Sequence, residues 1–388
     1  MGKEVNVPQP QNTTAAAIIK WHGAQPQDHR NHLGCSVLGN ACDRNIWLTW
    51  RWAKTPEFEG RILRLFDTGK REEVRLIEEL RAIGVEVHDM DPENPAEQIR
   101  VKACNGHLGG SLDGIAKGFP EASKTWAVLE CKTHNVKSFN DLLKNGVVDS
   151  KFQHYAQMQL YMGLTKLDRA LYLAVCKDTD AIYSEWVHFD QVDFDALIKR
   201  AETIIAATEP PARVSEDPAH WVCKMCSFYS LCHQERVAEV NCRTCCHSTP
   251  VEDGAWRCES KAVGIDGHVQ RKGCDAHLML PALVPFATPI DSGPGFVEYK
   301  HNGTGKTFKN GAGHYKSREL FASAPEFVTD PVVEAIREKF DAEIVKTAPK
   351  DFLESVEHLA THPDDIPTKP TGKKVKKSFD PEALKVFQ

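Results

Sequence analysis

The chain has 388 residues, 41% of them apolar and 26% charged, and a formal net charge of −6. These values exclude a single small domain, runs of the ~20 apolar residues that cross a bilayer, and a body coated in positive charge; two or three domains with a local basic groove remain open. Eight of the thirteen cysteines fall between Cys223 and Cys274, which in a chain without an export signal points to metal ligation more than to disulfides.

Residues 1–30 are polar and rich in Gln, Asn and Pro, and read as a flexible N-terminal arm. They hold no hydrophobic signal core, so a cytoplasmic protein is expected. The myristoylation pattern fails at Asn6. The stretch "TGKREEVRLIEELRAIG" predicts a helix with Val74, Ile77 and Leu80 at helical spacing. "GSLDGIAK" and "TWAVLECKT" predict two strands joined through the turn-prone "GFPEAS", a β-hairpin. "SKFQHYAQMQLYMGLT" predicts a second helix, and "RALYLAVCK" with "AIYSEWVHFD" a further strand pair. "DFDALIKRAETIIAAT" predicts a helix closed by Pro210-Pro211. This alternation gives an α/β (α+β) core, a mixed central sheet flanked by helices, over residues 31–235. A cysteine-rich segment at 236–285, a small C-terminal module at 286–365 and a Lys-rich disordered tail at 366–388 follow. The "GTGKT" of 303–307 lacks full Walker spacing and a following apolar helix, so it reads as a hairpin turn.

The strand "TWAVLECKT" carries an unusual ending. Side chains alternate faces with period two, so Glu130 and Lys132 share a face while Leu129 and Cys131 point the other way. Both faces are apolar upstream, so the charged pair sits where a central strand emerges into a cleft. The hairpin brings Asp113 beside Glu130. Like charges repel, and a divalent cation resolves the conflict: Mg²⁺ takes oxygen ligands, keeps waters, and lowers the pKa of a bound water for phosphoryl displacement. Lys132 then orients the water or neutralises charge on the phosphate.

The spacing Asp113-x16-Glu130-x-Lys132 resembles the core motif of the PD-(D/E)xK nuclease superfamily, with Leu112 in place of the introductory proline. Two further features resemble its RecB-like members. Gly69-x3-Glu73 lies on the preceding helix, where that resemblance implies an extra metal ligand. Gln157-x3-Tyr161 follows, where it implies residues that orient substrate and touch DNA. The resemblance implies a restriction-endonuclease-like core with Glu73, Asp113 and Glu130 holding Mg²⁺ (or Mn²⁺), the carbonyl of Cys131 completing the set, and Lys132 positioning the nucleophile.

Cys223-x2-Cys226-x5-Cys232, with Cys42 far upstream, resembles the iron–sulfur nucleases, among them the AddB nuclease domain and the CRISPR-associated RecB-like exonucleases. That resemblance implies a [4Fe–4S] cluster stapling the two ends of the core; spacing alone also admits a Cys₄ zinc site. Cys42-Asp43-Arg44 fits the same pattern, and Arg44 is expected to contact a phosphate. Cys242-x2-Cys245 with Cys258 and Cys274 reads as a second site, for Zn²⁺. Iron–sulfur and unligated surface thiols are its rivals, and Cys246, His247 and His277 stand close at hand. Residues 241–280 carry too few large apolar side chains for a core of their own. Cys104 and Cys176 read as core thiols.

The resemblance implies an exonuclease that hydrolyses single- or double-stranded DNA in recombination, repair or phage DNA processing. It acts in a bacterial or phage-infected cytoplasm, with a recombination or single-strand-annealing protein as a possible partner and no membrane. A sequence- or structure-specific endonuclease and a non-catalytic DNA-binding protein of the same fold are the rival expectations.

Overall fold

The computed structural model describes residues 13–27 and 29–345. The expected Lys-rich tail at 366–388 and the end of the C-terminal module lie outside the described residues. In chain order the elements of the core are α1 (Thr13–Gly23), β1 (Leu33–Gly34), α2 (Asp43–Trp50), α3 (Gly60–Ala82), β2 (Glu86–His88), β3 (Arg100–Ala103), β4 (Leu108–Ser111), β5 (Gly114–Lys117), β6 (Ala127–His134), α4 (Val136–Ser150), α5 (Phe152–Thr165), β7 (Arg169–Cys176), β8 (Ile182–His188) and α6 (Gln191–Ala206). The main sheet has the order β2-β5-β6-β7-β8. Only β6 and β7 run parallel, so the sheet is mixed.

β6 is the central strand because its first half is apolar on both faces. Ala127 through Cys131 are all buried. Leu129 and Cys131 pack with Leu76, Ile77 and Leu80 of α3. Val128, on the opposite face, joins Ala156, Met158 and Leu160 of α5. The result is an α/β/α sandwich of the expected mixed class.

The sequence expectations differ from the structure at four places. Residues 13–23 form a helix rather than a loose arm, and it lies so close on α3 that a Cβ on Gly60 would stand 1.9 Å from the Ile19 carbonyl oxygen. Val74 is 56% exposed, and the apolar stripe of α3 runs instead through Leu76, Ile77 and Leu80. A hairpin of β3 and β4, paired with β1 in a separate sheet, has short strands and a turn at Cys104 and Asn105, both with φ near +50°. The turn chemistry is hidden in a Cys-Asn pair that gives little warning of left-handed backbone. "GSLDGIAK" is accordingly not one strand: β4 belongs to one sheet and β5 to the other, with Leu112 and Asp113 at the crossing.

Past the core come α7 (Trp221–Lys224), α8 (Tyr229–His233), β9 (Ser248–Pro250), β10 (Trp256–Cys258), β11 (Val263–Ile265), α9 (Gly267–Lys272), β12 (Ala287–Gly293), β13 (Phe296–His301), β14 (Thr307–Gly311), α10 (Ser317–Ala322) and α11 (Pro331–Phe340). The turn at 302–306 joins β13 to β14 as a hairpin. The cysteine-rich segment shares the core of the main body rather than standing apart. Trp256, fully buried, meets Trp50 at a ring separation of 5.1 Å. Arg243 lies over Trp52 at 3.7 Å and between Trp50 and Trp256, and it donates to the carbonyls of Trp50 and Asn31. A buried guanidinium is tolerable there because its N–H groups are hydrogen-bonded and its faces rest on aromatic π-systems. Among the described residues no helix is long and apolar enough to cross a membrane.

Trp256→Ala should therefore destabilise the whole protein by about 3–5 kcal/mol, the usual cost of emptying a buried aromatic site. Trp221→Ala, at a position 74% exposed, should stay within about 0.5 kcal/mol. Urea unfolding monitored by circular dichroism checks both. Equal, small effects would show the cysteine-rich segment to be energetically separate.

Candidate active site

The crossing between the sheets sets the site. β5 pairs with β6 so that Gly114 faces Leu129, which leaves Asp113, just outside the ladder, opposite Glu130. Its carboxylate is not left free: Asp113 Oδ2 accepts from the Cys131 backbone N–H at 2.8 Å. Lys132 Nζ stands 3.8 Å from the same oxygen, bonds directly to Glu130 Oε1, and donates to the Cys131 carbonyl at 3.1 Å. The ammonium thus lies among the oxygens expected to hold a cation. Glu73 reaches the same cleft from α3, one oxygen held by Gln98 Nε2 at 2.9 Å. The structure therefore brings Glu73, Asp113, Cys131 and Lys132 to one open cleft of about 430 Å³, with Glu130 fully buried behind them.

Gln157 and Tyr161 depart from expectation. Both are buried, and neither lines the cleft. Gln157 Nε2 donates to Glu130 Oε2 and to the Tyr161 hydroxyl, each at 3.2 Å, and that hydroxyl donates to the Ser111 carbonyl at 2.8 Å. Gly110 makes room for this, since a Cβ there would lie 2.6 Å from the Tyr161 ring. The pair links Glu130 to the Ser111 carbonyl. Their i, i+4 spacing gives a shared helix face, but spacing cannot tell that the face points inward.

Burial shapes the protonation of these groups. It raises the Glu73 carboxyl to about 7, reinforced by the charge of Asp113. It lifts Glu130 to about 8 against the pull of Lys132. Burial also works against the Lys132 ammonium, but Glu130 and Asp113 outweigh it and hold the amine above its ordinary range. Carboxyls that resist ionisation beside one ammonium mark a candidate functional site.

The cleft is also lined by residues that the sequence reading did not single out: His134, Ser138, Lys151 and His154. The signals were present. His134 continues the alternation of Glu130 and Lys132, and His154 lies three residues before Gln157 on the same helix. Burial pushes His134 down to about 4 and His154 to about 3, so both rings are neutral at pH 7.

Cys42, Cys223, Cys226 and Cys232 line a second cavity, of about 250 Å³, between the start of α2 and the α7–α8 segment. Asn45 Nδ2 donates to Cys226 Sγ at 3.2 Å. Arg44, expected to reach a phosphate, lies here instead; it donates to the Pro211 carbonyl at 3.1 Å and its charge acts on Cys232. Cys242, Cys245, Cys258 and Cys274 line a third, narrow cavity together with His247 and His277. The Leu278 N–H points at Cys245 Sγ, at 3.4 Å, while Cys246 turns away to the Met279 carbonyl. All thirteen cysteines are free thiols. Among the described residues, no three His, Cys, Asp or Glu side chains stand as a ready-made metal cage. At the carboxylates the reason is visible: Lys132 and the amides of Gln98 and Gln157 engage the oxygens.

The PD-(D/E)XK nuclease superfamily model matches residues 29–233, more than half of the chain. No curated protein matches it. Among solved structures, the alkaline exonuclease LHK-Exo from Laribacter hongkongensis is 15% identical, with a TM-score of 0.34 over 48% of this chain and 90% of that one. A phage-related exonuclease from Haemophilus somnus is 15% identical, with a TM-score of 0.32 over 46% of this chain and 92% of that one.

The raised carboxyls predict a pH dependence. A carboxyl that keeps its proton longer when folded binds more protons in the native state, so stability falls as pH rises towards its folded pKa. The buried histidines act oppositely, but only below their unfolded value of about 6.5. In EDTA, the melting temperature should therefore fall between pH 6.5 and 8. Glu130→Gln should flatten that slope, and added Mg²⁺ should oppose it. A wild-type melting temperature level across this window would contradict the assignment.

Proposed function

The chain belongs to the PD-(D/E)XK nuclease superfamily, and from that premise we propose that it is a metal-dependent DNA exonuclease of the RecB-like, iron–sulfur type. The observation that carries the reading is the hydrogen-bonded set of Asp113, Glu130 and Lys132 at the end of the central strand, with Glu73 facing it across the cleft. Hard carboxylate and carbonyl oxygens at one place fit Mg²⁺ or Mn²⁺. Glu73, Asp113, Glu130 and the Cys131 carbonyl would hold the ion, which when bound would supply an acidic water and neutralise charge on the phosphate. Lys132 orients the attacking water and steadies the negative charge that develops on the phosphate. Gln157 and Tyr161 keep Glu130 in place.

The two cysteine cavities support the remaining cofactors. Four thiols from distant parts of the chain around one cavity suit a [4Fe–4S] cluster, and the narrow four-cysteine cavity suits Zn²⁺. Anaerobically purified protein should carry about four irons and one zinc per chain. Cys42→Ser should remove the iron, Cys274→Ser only the zinc. Two zincs and no iron would leave the nuclease reading standing and remove the iron–sulfur type.

Asp113→Ala and Lys132→Ala should each lower the cleavage rate at least about a thousandfold with the circular dichroism spectrum unchanged, because the set acts as a unit. End-labelled linear DNA and closed-circular DNA, incubated with Mg²⁺, provide the test. Degradation of the linear form alone is the expected result. Cutting of both forms means an endonuclease, and cutting of neither means a DNA-binding protein that keeps the fold.

A further inference from the structure

The cleft that Glu73 and Asp113 line also carries a hydrogen-bonded chain with one loose end. His154 Nδ1 lies 2.8 Å from the Tyr172 hydroxyl, the same hydroxyl lies 2.8 Å from His134 Nε2, and His134 Nδ1 lies 3.0 Å from Ser138 Oγ. Tyr172 is fully buried on β7, directly beside Glu130 in the sheet register. Its hydroxyl has one proton, so it donates to one ring and accepts an N–H from the other. The His154 ring also stacks on the Tyr172 ring, with centroids 5.8 Å apart and planes 26° apart. Position and tilt of that imidazole are thus both fixed. The ring lines the cleft, and its other nitrogen, Nε2, is accessible and makes no hydrogen bond among the described residues.

Every other ring nitrogen and hydroxyl in this chain is engaged within it. The chain ends in an accessible, unpaired ring nitrogen on a residue that lines the same cleft as Glu73, Asp113 and Lys132. Lys151, three residues before His154, lines the same cleft and is paired with Asp141 at 3.1 Å. The cleft thus carries hydrogen-bond donors as well as carboxylates.

We propose that His154 contacts the substrate, its Nε2–H donating to a phosphate oxygen of the strand lying in the cleft, with Tyr172, His134 and Ser138 as positioning residues that set its tautomer. This rests on the nuclease reading above. In the donor tautomer Ser138 donates to His134 Nδ1, His134 Nε2–H donates to Tyr172, and Tyr172 donates to His154 Nδ1. That leaves the proton of His154 on Nε2, the accessible nitrogen. A neutral ring suits the place: it offers a donor to an anion without adding a second full cation beside Lys132.

The test compares wild type, His154→Ala, His154→Gln and Tyr172→Phe on end-labelled linear DNA, with KM and kcat measured in Mg²⁺ and Kd in Ca²⁺. Losing one hydrogen bond to a charged group corresponds to about a tenfold weakening. His154→Ala should raise KM and Kd about tenfold with an unchanged melting temperature. His154→Gln, which carries an amide N–H to the same place, should recover most of the loss, as a packing role would not allow. Tyr172→Phe keeps the ring but frees the imidazole, and should shift Kd in the same direction. Wild-type cleavage alongside an unaltered His154→Ala variant, or a glutamine variant as weak as alanine, overturns this inference and leaves the nuclease reading intact. A wild-type protein that neither binds nor cleaves DNA overturns both.

Discussion

Carboxylates do not gather beside one another in an apolar core without a reason, and here their gathering organises everything around it. Glu130 sits on a strand whose neighbours on both faces are aliphatic, where burial alone disfavours its ionised form. Asp113 and Glu73 are brought to the same spot by a different strand and a helix. A single ammonium, Lys132, offsets part of the repulsion, and amide groups from Gln98 and Gln157 hold the remaining oxygens. The fold tolerates the arrangement because β5 to β8 and α3 to α5 are packed firmly enough to oppose it. A set of groups that weakens the fold at neutral pH is kept for binding something, and a divalent cation is the simplest guest.

From that constraint the other parts acquire their places. The sheet switch at Leu112 and Asp113 ends one ladder and begins another, which frees the Asp113 side chain at an edge. Gln157 and Tyr161 form a buried brace for Glu130. The cysteine-rich segment lends Trp256 and Arg243 to the core near α2. Its own Cys242, Cys245, Cys258 and Cys274 line a narrow cavity of their own. Loosening that segment should be felt in the nuclease core through shared packing, without any contact with the cleft.

Much of this was legible in the sequence. The two-residue alternation of β6 put Glu130 and Lys132 on one side, and the hairpin placed Asp113 next to them. These are local rules, and local rules hold where the strand is central and both of its faces are apolar. The expected α3 stripe shares Ile77 and Leu80 with the structure and differs in one member: Val74 is exposed and Leu76 is buried instead, because an acidic residue on the apolar side blurs the helical pattern. The helix at 13–23 escaped notice because it has no buried residue to mark it. The direction in which Gln157 and Arg44 point was not legible at all. A side chain's target is set by which helix face meets which neighbour, and that is decided by the assembled layers.

The central claim is that the cleft holds a divalent cation on Asp113 and its neighbours. Calorimetric titration of Mn²⁺ into the wild-type protein at pH 7, repeated in buffers of different ionisation heat, measures both affinity and proton release. Saturable binding that expels protons from the raised carboxyls, and that disappears in Asp113→Ala, is the result expected here. Binding of the same strength and stoichiometry in Asp113→Ala would contradict it.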